Sequence, residues 1–156
     1  MADSLSGQDL VNIAIGIERR GITFYDVMAK SSENEEARVV FEGLVLMERE
    51  HIKIFEDMLG KPESPGAGGG SGYIEALLDS AVFTDDLITS EMAMQADSDI
   101  KALELGINAE KDSILFYYEM KDRMPQVVAP VINRIIAEEK SHLQQLTAIK
   151  KKLAGP

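Results

Sequence analysis

Apolar residues recur at steps of three and four along four long stretches of the chain, a pattern typical of helices with one buried face. In the first stretch a single charged residue, Glu18, interrupts the buried stripe. The other positions of that stripe are Val11, Ala14, Ile15, Ile22, Tyr25 and Ala29. Capping signals at residues 6–9, and a capping box at residues 32–35, predict helices over about residues 7–30 and 33–59.

The second half of the chain repeats this pattern after a long polar interruption. Residues 61–72 read KPESPGAGGGSG, a composition typical of a flexible linker. Residues 73–80 are compatible with a short amphipathic helix. The pattern of residues 81–97 is ambiguous. One interpretation is a second short helix that covers one end of the bundle. Two more long helices are predicted at about 98–122 and, after Pro125 and Pro130, up to about Leu153. The chain is thus predicted to be one all-α domain, a four-helix bundle in which two hairpins are joined by a long crossover.

Two of the long helices carry the same motif on their apolar face, Glu48-x-x-His51 and Glu139-x-x-His142. Residues at i and i+3 project from the same side of a helix. A charged group on a core-facing side is unfavourable unless something pairs with it, so the motifs need an explanation. Glu138 is an alternative partner for His142, at i+4, although the apolar register favours Glu139.

The first helix of each half carries a matching lone Glu. Residues 18–25 align with residues 110–117, so that Glu110 corresponds to Glu18 and Tyr117 to Tyr25. In two antiparallel helices joined by a tight turn, residues equidistant from the turn lie level. The midpoint of 18 and 48 is 33, and the midpoint of 110 and 139 is 124.5, both on predicted turns. Each lone Glu is therefore predicted to lie level with the Glu-x-x-His of its own hairpin.

Packing the hairpins face to face gathers six polar side chains in the core: Glu18, Glu48, His51, Glu110, Glu139 and His142. Four crowded carboxylates repel one another, and two divalent cations would compensate their charge. Oxygen and nitrogen ligands without thiolate suit iron or manganese, with zinc as a substitute. Tyr25 and Tyr117 lie two turns after the lone Glu residues; each is predicted to hydrogen-bond a ligand or to donate single electrons. The alternative is a core tyrosine with a satisfied hydroxyl.

Composition and charge narrow the classes of function. The net charge of −11 argues against nucleic acid as a partner, since phosphate binding needs basic patches. The absence of Cys excludes disulfides, thiolate metal sites and Cys-ligated iron–sulfur clusters within these residues. No signal peptide is recognisable, and no apolar run approaches the ~20 residues that span a bilayer. We therefore expect a cytoplasmic protein that does not contact membranes.

The combination of six candidate ligands resembles the rubrerythrin branch of the ferritin-like superfamily. The residues that carry the resemblance are Glu18, Glu48-x-x-His51, Glu110 and Glu139-x-x-His142. The resemblance covers the four long helices and leaves out residues 61–97. It implies a left-handed four-helix bundle with a di-iron centre that reacts with hydrogen peroxide or dioxygen.

Three features depart from rubrerythrins. Ser113 stands where rubrerythrins carry an additional Glu ligand, so the ligand set is more like that of bacterioferritin. Rubrerythrins usually carry a rubredoxin domain; without Cys, the resemblance implies a separate electron-donor protein such as a rubredoxin. The Gly-rich crossover resembles the crossover of stand-alone rubrerythrin-like proteins.

The leading hypothesis is a di-iron oxidoreductase, expected as a homodimer, that reduces hydrogen peroxide or dioxygen. One alternative is a ferroxidase centre that oxidises Fe(II) for storage; storage needs a hollow oligomer, and no fifth helix is predicted after Leu153. Another alternative is a non-enzymatic bundle in which the metals support folding or an interaction.

Overall fold

The computed structural model describes residues 5–59 and 71–156, and every regular element within those ranges is helical. The elements in chain order are α1 (Gly7–Ser31), α2 (Glu35–Leu59), α3 (Gly72–Asp79), α4 (Asp86–Gln95), α5 (Asp99–Arg123), a 3₁₀ turn (Gln126–Val128) and α6 (Ala129–Ala154). Helices α1, α2, α5 and α6 are the four predicted long helices. Most of the predicted linker, residues 61–70, lies outside the described residues, and its last residue, Gly72, begins α3.

The predicted cap of α1 is confirmed, whereas the predicted cap of α2 is wrong. At the start of α1, Ser6 and Asp9 exchange side-chain and backbone hydrogen bonds in a capping box. Helix α2 begins at Glu35, and its first turn is capped by Asn34, whose Oδ1 accepts from the Ala37 N–H at 2.9 Å. The Asn34 N–H also donates to Asp99 at the start of α5, at 2.9 Å, which ties the first turn to the second hairpin.

Two apolar clusters fill the bundle and show its topology. The first cluster includes Phe24, Phe41, Leu103 and Leu146. The second cluster includes Leu10, Phe55, Phe116 and Ile132. Helices α1 and α6 run from the second cluster to the first, whereas α2 and α5 run from the first to the second. Because α2 and α5 are parallel, the connection between them must return along the length of the bundle, as in ferritin-like folds.

The described part of the crossover lies along α1 and α5. Helix α3 packs against α5 and matches the short helix predicted at residues 73–80. Helix α4 lies within the ambiguous stretch 81–97 and packs along α1 instead of covering one end of the bundle. Between these helices, the Val82 N–H donates to Asp112 of α5 at 2.8 Å. The Phe83 ring packs against Phe24 of α1, with ring centroids 4.8 Å apart.

None of the helices in the described ranges combines the length and the apolar character that a membrane span requires.

Candidate metal centre

The six predicted ligands meet between the two apolar clusters. Each side chain projects from the core-facing side of its helix, because the i, i+3 spacing places it in the buried stripe. All six residues are buried, the most exposed being Glu48 at 4%. The hairpins bring in Glu18, Glu48 and His51 from α1 and α2, and Glu110, Glu139 and His142 from α5 and α6. The arrangement is the one that the sequence predicts.

The six residues form two overlapping groups of four. One group consists of Glu18, Glu48, His51 and Glu139, and the other of Glu48, Glu110, Glu139 and His142. Within each group, one potential ligand atom of every residue lies within 4.8 Å of the others. Both groups contain Glu48 and Glu139, so two cations held in this site would share these two carboxylates.

His51 is fixed from both sides of its ring. Its Nδ1 lies 2.8 Å from Glu139, 3.2 Å from Glu48 and 3.4 Å from Glu18. Its Nε2 lies 2.7 Å from Oε2 of Glu138. With Nε2 donating to Glu138, a bound cation would take the Nδ1 lone pair in place of the proton that the three carboxylates hold on Nδ1. A carboxylate behind a metal-binding histidine orients the ring and raises its basicity.

The contact of Glu138 with the site is the feature that the sequence did not predict. The sequence allowed Glu138 as an alternative partner of His142, but its carboxylate points to His51 of the other hairpin. Glu139 lies beside His142 instead, with Oε2 at 3.6 Å from Nδ1. The i+4 spacing from Glu138 to His142 gave no sign of a contact with α2.

Three buried polar atoms in the cluster make no hydrogen bond within the described part of the chain. These atoms are Glu110 Oε2, Glu139 Oε1 and His142 Nδ1. Such atoms are rare in folded proteins and require a reason, because each loses its hydration on burial. All three are lone-pair donors to cations, and all three belong to the groups of four described above. The residues present therefore fit a pair of metal ions.

The electrostatics of the cluster lead to the same interpretation. Burial, reinforced by repulsion from Glu139, raises the pKa of both Glu48 and Glu110 well above the ordinary carboxyl value. Burial also opposes ionisation of Glu139, but the nearby Glu110, His142 and His51 side chains outweigh it and lower its pKa. Burial disfavours the charged form of His51, yet the nearby carboxylates of Glu139, Glu18 and Glu48 raise its pKa. Without cations the cluster therefore retains protons, and cations would replace them.

The two predicted tyrosines form crossed hydrogen bonds between the hairpins. Tyr25 of α1 donates to Glu110 of α5 at 2.7 Å, and Tyr117 of α5 donates to Glu18 of α1. Burial, together with the nearby carboxylates, raises the pKa of both hydroxyls well above the ordinary value, so both stay protonated. Each tyrosine thus holds the lone Glu of the opposite hairpin, a pairing that the sequence predicted only as contact with some ligand.

Known proteins share this fold and this family pattern. The Rubrerythrin family model matches residues 9–150. A crystal structure described as a ferritin-like diiron-carboxylate protein, from Thermotoga maritima, is 28% identical and superposes with a TM-score of 0.74, covering 97% of this chain and 98% of the other. A DUF305 fragment from Deinococcus radiodurans has a TM-score of 0.71 at 13% identity, covering 94% and 95%, and supports the fold alone. No curated protein matches the sequence. On the family match over residues 9–150, the chain belongs to the rubrerythrin family.

Proposed function

We propose that the protein is a di-iron oxidoreductase that reduces hydrogen peroxide or dioxygen. The observation that carries this proposal is the pair of four-residue groups that share Glu48 and Glu139. Two adjacent sites of mixed carboxylate and imidazole ligands suit iron or manganese, and zinc is a substitute without redox activity.

Each half of the cluster has its own ligands for one ion. Glu18 and His51 would hold the first ion, Glu110 and His142 the second, and Glu48 and Glu139 both. Two Fe(II) ions, when bound, supply the two electrons that reduce peroxide to water. The protein's part is to keep the ligand atoms converged between the two apolar clusters.

The residues around the ligands orient them and connect the buried cluster with the surface. The Tyr25 and Tyr117 hydroxyls keep Glu110 and Glu18 oriented and remain protonated. Glu138, whose side chain is 25% exposed, connects the fully buried His51 ring with the surface. A variant Tyr25→Phe that loses activity with its metal content intact would support one-electron donation by this hydroxyl, and unchanged activity would remove that role.

We infer that electrons arrive from a separate donor protein such as a rubredoxin, because the chain contains no Cys that could ligate a second iron centre. The proposed working unit is a cytoplasmic homodimer.

A ferroxidase role is the second candidate, and Ser113 favours it. Ser113 stands one turn after Glu110 and donates its hydroxyl hydrogen bond to the Ala109 carbonyl at 3.1 Å, so α5 offers no second carboxylate there. Size-exclusion chromatography separates the two roles. A cage-sized particle would favour iron storage, and a dimer would favour peroxide or dioxygen reduction.

The decisive experiment combines metal analysis with rapid mixing. Protein purified without added metal is expected to contain about two metal ions per chain, as the two sites of the fold require. Stopped-flow mixing of the Fe(II)-loaded protein with hydrogen peroxide should give fast stoichiometric oxidation, followed by re-reduction when a donor is supplied. Slow oxidation by both peroxide and dioxygen, at full iron content, would favour the non-enzymatic bundle.

A further inference from the structure

The crossover covers a cavity of about 590 Å³ that reaches the candidate metal centre between α1 and α5. Glu18, Glu48 and Glu110 line this cavity, whereas neither histidine does. Cavities that take drug-sized organic ligands have volumes of about 300–1,000 Å³. A water molecule occupies only about 30 Å³, and peroxide and dioxygen are of similar size. The cavity is therefore far larger than the oxidant alone requires.

Most of the cavity wall is apolar. The apolar side chains that line it include Ile13, Ile17, Leu77, Leu78, Phe83 and Phe116. Small residues, among them Gly21, Ala109 and Ser113, keep the space beside the lone Glu residues open. Such a wall suits a hydrocarbon chain, and two of its members, Leu77 and Leu78, come from helix α3 of the crossover.

One cation lines the cavity with an unused hydrogen-bond donor. Arg20 is only partly exposed, its Nε is buried, and that N–H has no acceptor within the described residues. Its guanidinium lies over Gly16, where a Cβ would come within 3.3 Å of Nη1, so the glycine makes room for it. The Asp86 and Asp85 carboxylates attract the guanidinium through their charge, but within the described residues neither accepts a hydrogen bond from Nε. This N–H is therefore available to an oxygen atom of a ligand.

We propose that this cavity binds an organic molecule with an apolar chain and one carboxylate or carbonyl oxygen. The oxygen accepts the hydrogen bond of Arg20, and the chain extends towards Glu18 and Glu110. This site goes beyond the proposed reduction of peroxide or dioxygen, because it assigns the protein a second ligand of a different chemical class.

Isothermal titration calorimetry on the full-length protein as purified tests the ligand class. The probes are octanoate, 2-octanone and octylamine, which share a chain but differ in the polar end. Octanoate and 2-octanone should bind, and octylamine, which cannot accept from Arg20 when protonated, should bind at least ~10-fold more weakly. The ratio of octanoate to 2-octanone affinity then distinguishes a charged from a neutral natural ligand. Equal affinities for all three probes, or no binding of octanoate and 2-octanone at millimolar concentration, would overturn the proposal.

Variants of residues inside and outside the cavity test whether octanoate binds there. Arg20→Gln should weaken octanoate binding about 10-fold or more, whereas Arg19→Gln, an exposed neighbour, should leave it unchanged. Ser113→Phe fills the cavity and should also weaken binding at least ~10-fold, while Leu115→Phe adds the same ring to the exposed face of α5 and should not. Ala109→Leu is the second filling variant, should Ser113→Phe fail to give native circular dichroism. Unchanged octanoate affinity in a folded filling variant would contradict the proposed position.

Discussion

The two helical hairpins supply the same ligand types, a Glu from the first helix and a Glu and a His from the second, but they surround their histidines differently. His51 Nδ1 lies within 2.8–3.4 Å of three carboxylates, and its Nε2 is bound by Glu138. His142 Nδ1 lies 3.6–3.8 Å from three carboxylates and makes no hydrogen bond within the described ranges. The residue that corresponds to Glu138 in the first hairpin is Met47, which offers no comparable acceptor.

This difference would make the two proposed metal positions unequal. A histidine ring fixed by a carboxylate needs less ordering when a metal binds, and it is a stronger ligand. The position that includes His51 should therefore bind its ion more tightly than the position that includes His142. A sequence repeat can thus produce two similar ligand sets with different affinities, because the contacts behind the ligands are not repeated.

The largest expected effect comes from removing a carboxylate that both positions share. Glu139→Gln takes an anionic ligand from both groups of four, so we expect loss of both ions, from about two per chain to near zero, measured by elemental analysis. Glu50→Gln is the control, since Glu50 is an exposed residue paired with Lys53 at 3.2 Å. Retention of one full ion in Glu139→Gln would show that the two positions do not share this ligand.

A change of pH should act on both hairpins, since each contains one carboxyl group of raised pKa, Glu48 or Glu110. A group whose pKa is raised by folding stabilises the fold at low pH, and that stabilisation is lost as pH rises from the ordinary value of 4.5 through the raised pKa. The pKa of Glu139 is lowered by folding, so above pH 4.5 this group is ionised in both the folded and the unfolded protein. It therefore does not change the dependence of folding stability on pH in that range.

The metal-free protein should therefore lose stability as pH rises above 4.5, while metal affinity increases because fewer protons must be displaced. Thermal unfolding of the metal-free and zinc-loaded forms over a pH series measures both trends. The two melting temperatures should move apart with increasing pH. A constant separation would mean that metal binding releases no protons.

Removing Glu138 should affect only one metal position. Glu138→Ala removes the hydrogen-bond acceptor of His51 Nε2. A group that binds the second ring nitrogen of a metal-binding histidine typically contributes 10–100-fold to metal affinity. After dialysis against a chelator of suitable strength, the variant should keep about half the metal of the unmodified protein. Glu138→Gln keeps an acceptor and should recover part of the loss. Arg134→Gln is the control, because the Arg134–Glu138 ion pair is mostly exposed and such pairs contribute little.

An equal loss of both ions in Glu138→Ala would contradict the inequality of the two positions and would show that the cluster binds its metals as one unit.

The convergence of the six candidate ligands could be predicted from the sequence because helix geometry alone determines which residues share a face. The i, i+3 spacing places Glu48 and His51 on the same side of one helix. The short turn of the hairpin places Glu18 level with this pair along the bundle axis. Neither step depends on how one hairpin packs against the other. The crossed hydrogen bonds of Tyr25 and Tyr117 do depend on that packing, so the sequence could predict a ligand contact but not which Glu.

The features that could not be predicted depend on contacts between distant segments. Glu138 contacts a histidine in the other hairpin, and its direction is set by the rotation of α6 against α2. Asn34 caps α2 in place of Ser32 because its backbone is also bound by Asp99. Helix α4 buries only Thr89 and Ala93, so its apolar pattern is too weak to distinguish a helix from a loop.

The smallest expected effect compares the two tyrosines. Tyr25→Phe and Tyr117→Phe each remove one hydrogen bond to a lone Glu and should each lower the free energy of unfolding of the zinc-loaded protein by about 1 kcal/mol. The ring of Tyr25 should stay in place, because a Cβ at Gly106 would lie only 3.2 Å from it and the backbone packs closely there. Urea denaturation measures the change, with the exposed Tyr73→Phe as control. A clear loss in only one variant would extend the difference between the hairpins from the histidines to the lone Glu residues, whereas equal losses would confine it to the histidines.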